Sequence, residues 1–249
     1  MTEGSHPGAA IITGAARNIG RATAVALANL GFAVVVHAQG NREGAEETAQ
    51  AVESAGSRAV VVLADLNEAG AADDLAAAAR KLGRIAVLVN NAAVRRAVPF
   101  DEMSLDEWRA IMAVNLDAAF LCARACIADM VEGGWGRIVN IGGLTGHTGA
   151  SGRAHVVTSK AALVGLTKAL ATEYAGTGVT ANCVVPGEIE TLRGGAAGAR
   201  GHHPGKQPPM VGRRGEPREV AAVIAMLCGG DAGYITGQTI HVNGGAYLP

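Results

Sequence analysis

The sequence predicts an α/β protein, a single-domain doubly wound parallel sheet of about seven strands with helices on both faces. Three observations predict it. Short apolar runs alternate with helical patterns along almost the whole chain, and that alternation with short connections implies right-handed crossovers between parallel strands. Apolar residues make up 49% of the chain in many Gly-punctuated runs, as strands buried on both faces require. The 249 residues suffice for one large domain with a full core.

The strands are expected at Ala9–Thr13, Ala33–His37, Ala59–Ala64, Val87–Asn90, Arg137–Ile141, Thr180–Val185 and Thr239–Val242. Between them, helices are expected near 19–30, 42–55, 68–82, 105–132, 158–176 and 217–228. Ser104 and Glu107 form the S-x-x-E pattern of a capping box ahead of the long helix at 105–132. Pro217 suits the first turn of the last major helix, and Gly229 suits its end. Leu163, Leu166 and Leu170 recur at helical spacing and should face the sheet or a partner subunit. Residues 1–8 read as a flexible lead-in, and 9–249 as one domain. Gly194–Met210 is rich in Gly and Pro, and by position it should form a lid over the carboxyl ends of the strands.

The first strand runs into Gly14-Ala-Ala-Arg-Asn-Ile-Gly20, which starts a helix. Backbone N–H groups and the helix dipole converge at such a point, so it holds a pyrophosphate. Gly14 and Gly20 permit the tight turn. Asn18 stands at the middle glycine position, and Asn tolerates positive φ.

Here the chain resembles the short-chain dehydrogenase/reductases, which have a Rossmann-like fold. Its pattern is close to the bacterial 3-oxoacyl reductase and glucose-dehydrogenase-like members. Thr13-Gly14 to Gly20 resembles the family's T-G-x-x-x-G-x-G, and Asn90-Asn91-Ala92-Ala93 its N-N-A-G. Pro186-Gly187 through Thr191 resembles P-G-x-I-x-T, and Asn243 stands where an aspartate is usual. The resemblance covers roughly residues 9–246. It implies cofactor contacts at Gly14, Arg17, Asn18, Ile19, Gly20, Asp65, Leu66, Asn91, Ala92, Lys160, Pro186, Gly187, Ile189 and Thr191, and a structural and catalytic asparagine at Asn115. The strand Val36-His37-Ala38-Gln39 ends without the acid that binds a ribose 2′-OH, whereas Arg17 and Arg42 could meet a 2′-phosphate. NADP(H) is therefore expected rather than NAD(H).

The same resemblance exposes a gap. The family's lysine is Lys160, but its tyrosine position is Val156 and its serine position Gly143. Neither can move a proton or donate a side-chain hydrogen bond. A general acid is worth about 10²–10⁴ in rate and an oxyanion donor about 10²–10³. His155, beside the vacant tyrosine position, is the first candidate replacement, so Asn115, His155 and Lys160 are the expected catalytic residues. His147 and Glu188 are further candidates. The enoyl-reductase variant of the family puts its tyrosine where Arg153 stands. No metal-ligand spacing is present, and His202 and His203 read as polar loop residues.

Three readings stay open: an oxidoreductase acting on an activated small substrate (an enone, iminium, quinone or carbonyl), non-redox chemistry such as hydration, hydrolysis or isomerisation, and a cofactor-binding pseudoenzyme. The first is adopted because the cofactor-facing motifs persist while the proton-handling positions changed. Net charge -1 gives no support for nucleic-acid or membrane-surface partners. No stretch is expected to span a membrane, and no charged-then-apolar leader precedes the first strand. Cys122, Cys126, Cys183 and Cys228 read as small core residues in a reducing cytoplasm. The apolar helices at 105–132 and 158–176, through which family members commonly assemble, predict a homotetramer or homodimer.

Overall fold

The structure is a computed structural model that describes residues 7–192 and 207–249. Its strands are β1 (Ala9–Ile12), β2 (Ala33–Ala38), β3 (Ala59–Leu63), β4 (Ile85–Asn90), β5 (Gly136–Ile141), β6 (Val179–Pro186) and β7 (Thr239–Val242). They form one seven-stranded sheet in the order β3-β2-β1-β4-β5-β6-β7, with every pairing parallel. The order reverses between β1 and β4, so the carboxyl ends of these two strands diverge into a crevice, the usual ligand site of such a sheet.

The helices are α1 (Asn18–Asn29), α2 (Arg42–Ser54), α3 (Ala71–Leu82), α4 (Leu105–Met112), α5 (Ala118–Glu132), α6 (Thr145–Thr148), α7 (Ala154–Glu173) and α8 (Pro217–Leu227). Alternation along each strand divides the core in two. Ile12, Val34, Val36 and Val89 pack with Leu27 of α1, Val52 of α2 and Ile224 of α8. Ile11, Val35 and Leu88 pack on the opposite face with Leu75 of α3 and Cys122, Cys126 and Met130 of α5. Burying each such Ile or Leu side chain contributes about 1.5–3 kcal/mol, so this period-two pattern fixes the register.

Every expected strand and major helix is present, with four corrections. The helix at 105–132 is not uniform, because Ala113–Asp117 forms a π-helical turn between α4 and α5. Helix α7 starts at Ala154 rather than 158, since Gly152 at φ +63° turns the chain and Arg153 caps the helix. The Ser104 hydroxyl accepts from the Glu107 N–H at 3.1 Å, but the Glu107 carboxylate turns to Arg96 and His155 instead of closing the box. A complete capping box lies at Glu216–Glu219, where Pro217 occupies the first turn of α8. Finally, Leu105–Glu132 is long and apolar enough to cross a membrane by length and composition. Ile111, Cys122, Cys126 and Met130 from this run are buried, the last three against the sheet, while 39% of its most apolar window is buried. Of the expected lid, residues 194–206 lie outside the described residues, as do His202 and His203. The Gln207 N–H that follows bonds the Ala246 carbonyl.

Candidate active site

The phosphate loop is built by three strand ends. The Thr13 hydroxyl accepts from the N–H groups of Asn91 and Ala92 at 2.9 and 3.0 Å, tying β1 to the loop after β4. The Asn91 amide donates back to the carbonyls of Thr13 and Gly14, both at 2.9 Å. A Cβ at Gly20 would stand 2.3 Å from the Gly14 carbonyl oxygen, so only glycine lets the first turn of α1 approach so closely. Asn18 has φ +54°, the one positive φ outside glycine among the described residues, as the sequence predicts. Its side chain exchanges two 2.9 Å bonds with the backbone of Leu192, at the edge of the lid segment.

His37 braces the loop from beneath, a position that the sequence does not mark. Its Nδ1 accepts from the Gly14 N–H at 3.1 Å, and its Nε2 lies 3.0 Å from the Ala64 carbonyl, which sets the neutral tautomer protonated at Nε2. Burial holds its pKa below the ordinary value. A neutral imidazole thus braces the ends of β1, β2 and β3 beneath the loop. Asp65 follows β3 and is held by Gln39 at 2.8 Å, while Leu66 is buried in the core. Arg17 is exposed at the cap of α1, and Arg42 starts α2 with Glu46 at 3.4 Å.

Beyond the loop lies a cavity of about 310 Å³. It gathers six of the expected residues: Ile19, Lys160, Pro186, Gly187, Ile189 and Thr191. Gly143 and Val156 are in the same wall, together with Glu188, and among the described lining residues there is neither a tyrosine nor a serine. Lys160 is buried, and its ammonium donates to the Ile141 carbonyl at 2.7 Å. Burial, with the nearby Arg95 guanidinium adding repulsion, lowers its pKa to about 7.

Two expected catalytic residues occupy other positions. Asn115, in the π turn, accepts from the Val94 N–H at 2.8 Å and donates to the Val94 carbonyl at 3.0 Å and to the Ser159 hydroxyl at 3.1 Å. With its amide engaged this way, and absent from the cavity wall, it positions the chain that carries Arg95. His155 is wholly buried, and its Nε2 faces Glu107 at 3.3 Å, between α4 and α7. Its place one residue before Val156 turns it a hundred degrees round α7, away from the cavity. His147 meets His241 edge-on and lies tilted against Tyr247 rather than lining the cavity.

The lining also includes Arg153, which stands where the enoyl-reductase variant places its tyrosine, and Arg95 and Arg214, which the sequence does not mark as site residues. Arg95 follows the Asn90-Asn91 motif and Arg153 precedes α7, so proximity to recognised motifs was the available signal. Thr145 and Thr148 add hydroxyls to the wall. The Thr148 hydroxyl donates back to the Leu144 carbonyl at 3.2 Å.

A family model described as enoyl-(acyl carrier protein) reductase matches residues 14–247. An uncharacterized oxidoreductase of Escherichia coli K12 is 40% identical over 96% of this chain and 95% of its own. A 3-oxoacyl-[acyl-carrier-protein] reductase of Synechocystis is 39% identical, covering 96% of each chain. The crystal structure of acetoin dehydrogenase from Enterobacter cloacae superposes with a TM-score of 0.87 at 35% identity, over 99% of this chain and 100% of that one. A protein of Beutenbergia cavernae, provisionally assigned as an NAD(P)-dependent gluconate 5-dehydrogenase and solved with NADP at low occupancy, superposes with a TM-score of 0.85 at 34% identity, over 97% of each chain. The chain belongs to the short-chain dehydrogenase/reductase family, among its 3-oxoacyl-reductase-like members.

Proposed function

We propose that the protein is an NADP(H)-dependent oxidoreductase with an atypical active site, transferring hydride to or from a small activated substrate such as an enone, an iminium, a quinone or an activated carbonyl. One observation carries this reading: the loop, Lys160 and the Pro186–Thr191 segment of a dinucleotide site surround a cavity wall in which Gly143 and Val156 stand where proton-handling hydroxyls are expected. The residues present fit the cofactor. The first N–H groups of α1 lack acceptors within their own helix, and Lys160 has donors left for a ribose. When bound, NADP(H) supplies or accepts the hydride. The nearby relatives named as 3-oxoacyl reductase and acetoin dehydrogenase support carbonyl-type chemistry, and bound NADP in one structural neighbour supports the cofactor. Preference for the 2′-phosphate rests on Arg17, on Arg42 and on a β2 end that carries Gln39 rather than an acid.

The protein's own contribution is positioning and charge. Lys160, poised near neutrality, is the titratable group of the wall best placed to hold or deliver a proton, and the Arg95 guanidinium favours negative charge developing on a substrate oxygen. An enone that gains hydride at its β-carbon leaves an enolate, which takes its proton from Lys160 or from water. Such a substrate needs less acid assistance than an unactivated ketone. The four buried free cysteines support a reducing compartment, the cytoplasm.

Stopped-flow mixing of the NADPH-loaded protein with enones, iminium ions and quinones tests the proposal. NADPH oxidation by at least one class supports it. Tight NADPH binding with no oxidation by any class would instead indicate a pseudoenzyme, and a product formed without cofactor turnover would indicate non-redox chemistry.

A further inference from the structure

Lys160 sets a buried amine in the wall of the cavity. The residue is only 3% exposed, so it is shut off from bulk water while its side chain lines the cavity. Among the described residues no carboxylate pairs with it, and its hydrogen-bond acceptor is the Ile141 carbonyl at 2.7 Å. A carbonyl takes one N–H and leaves the lone pair of a neutral amine free. A Cβ added at Gly143 would meet Lys160 Cγ at 3.4 Å, and Val156 stands one helical turn before Lys160, so neither neighbour brings a hydroxyl to the nitrogen. An ammonium held out of water without an anion is disfavoured against the neutral amine. The nearby Arg95 guanidinium acts in the same direction as burial, and together they lower the Lys160 pKa to about 7. The nearby Cys183 does not reverse this, because burial pushes its thiol up to about 11 and keeps it uncharged at neutral pH. Desolvation and a neighbouring cation are the two conditions that make a lysine nucleophilic at neutral pH.

We propose that Lys160 is a nucleophile, and that the cavity of the cofactor-free protein takes up small aldehydes and ketones by condensing them with its ε-amine. The nitrogen lone pair adds to the carbonyl carbon while an amine proton passes to the oxygen, giving a carbinolamine. The carbinolamine then loses its hydroxyl with a proton as water, and a C=N bond to Nζ remains. No oxidant or reductant enters this step, so it stands apart from the hydride transfer proposed above. The cavity of about 310 Å³ suits a carbonyl compound of a few carbons, with Ile19, Val156 and Ile189 as apolar wall. A dinucleotide whose ribose engages Lys160 competes for the same nitrogen.

Reductive trapping tests this on the full-length, cofactor-free protein. Acetaldehyde or acetone is added at pH 7 with sodium cyanoborohydride, which reduces an iminium to a stable secondary amine, and labelled peptides are quantified by mass spectrometry. Lys81 and Lys168 are exposed and serve as internal references, since an ordinary lysine is neutral at pH 7 in fewer than about one molecule in a thousand. Lys160 should be alkylated about tenfold or more faster than either, and in urea its rate should fall to theirs. Saturating NADP⁺ should protect Lys160 and leave the two references unchanged. Labelling of Lys160 no faster than that of Lys81 and Lys168 in the folded protein would overturn the proposal, as would an excess that persists in urea. Fast labelling that NADP⁺ leaves unchanged keeps the nucleophile and counts against the cofactor site. NADPH oxidation by an acceptor while Lys160 stays inert to both carbonyl compounds keeps the oxidoreductase and removes the nucleophile.

Discussion

At the scale of single residues, the site is decided by what Val156, Gly143 and Lys160 can and cannot do with a proton. Val156 is buried in the cavity wall, and a Cβ at Gly143 would meet Lys160 Cγ at 3.4 Å, an ordinary contact. A serine and a tyrosine can therefore be installed at these positions, the serine directly and the tyrosine by projecting into the cavity. The double variant Gly143→Ser, Val156→Tyr should gain reduction of simple ketones by about 10²–10⁴ over the parent, measured as NADPH consumption. Lys160 makes a second prediction. Its folded pKa of about 7 lies below the ordinary 10.5, so between these values the unfolded chain binds a proton that the folded chain releases. Stability of the ligand-free protein should therefore rise with pH across this window, by at most about 1.4 kcal/mol per pH unit, and lose that increment as pH falls toward 7. Urea denaturation of Lys160→Met should show a flatter pH profile and a more stable protein at neutral pH.

At the scale of elements, the π turn at Ala113–Asp117 matters most for the site. It lets Asn115 point inward with its amide shared between Val94 and Ser159, where an unbroken α-helix would rotate the residues beyond it. Asn115→Ala leaves the Val94 N–H and carbonyl short of partners in a part-buried setting, which costs about 1 kcal/mol or more in denaturant stability. It should also raise KM more than it lowers kcat if the loop carrying Arg95 serves binding. The pattern of apolar residues along 105–132 made a helix legible, because α4 and α5 keep one buried face on each side of the turn. The turn itself was not legible, since its single inserted residue leaves no mark on that pattern. The strands were read to within two residues, because Val-rich runs buried on both faces have few alternatives. The start of α7 was misplaced, since Arg153 caps it without a side-chain hydrogen bond and so carries no capping signature. The loop glycines and Asn18 were legible from backbone sterics, whereas His37 was not, because its role depends on bonds to Gly14 and Ala64 that the fold brings together from other strands. The same is true of Arg95 and Arg214, which come from separate segments.

At the scale of the whole molecule, α7 leaves an outward stripe of Ala161, Gly165 and Ala169 exposed, and α5 exposes Phe120. A stripe of small residues lets another helix approach closely, and we propose that these two helices form the contact of a homodimer or homotetramer. Gly165 offers a clean test, because a Cβ there has no heavy atom within 4 Å in the protomer. Gly165→Arg should leave the protomer folded, with helix propensity improved by up to about 1 kcal/mol, and should shift the light-scattering mass to a smaller species. If the parent protein is already monomeric, the assembly reading fails. The sheet, the crevice between β1 and β4, and the described cavity wall are contributed by this chain. The most direct test follows deuterium from NADPH labelled at C4, using each of the two epimers, into the product formed from an enone, iminium or carbonyl acceptor, where transferred label stays on carbon. One epimer should deliver its deuterium to a carbon of the acceptor, with matching loss of label from the cofactor. Bound NADPH that keeps its label against every acceptor, or a product formed without label, would contradict hydride transfer.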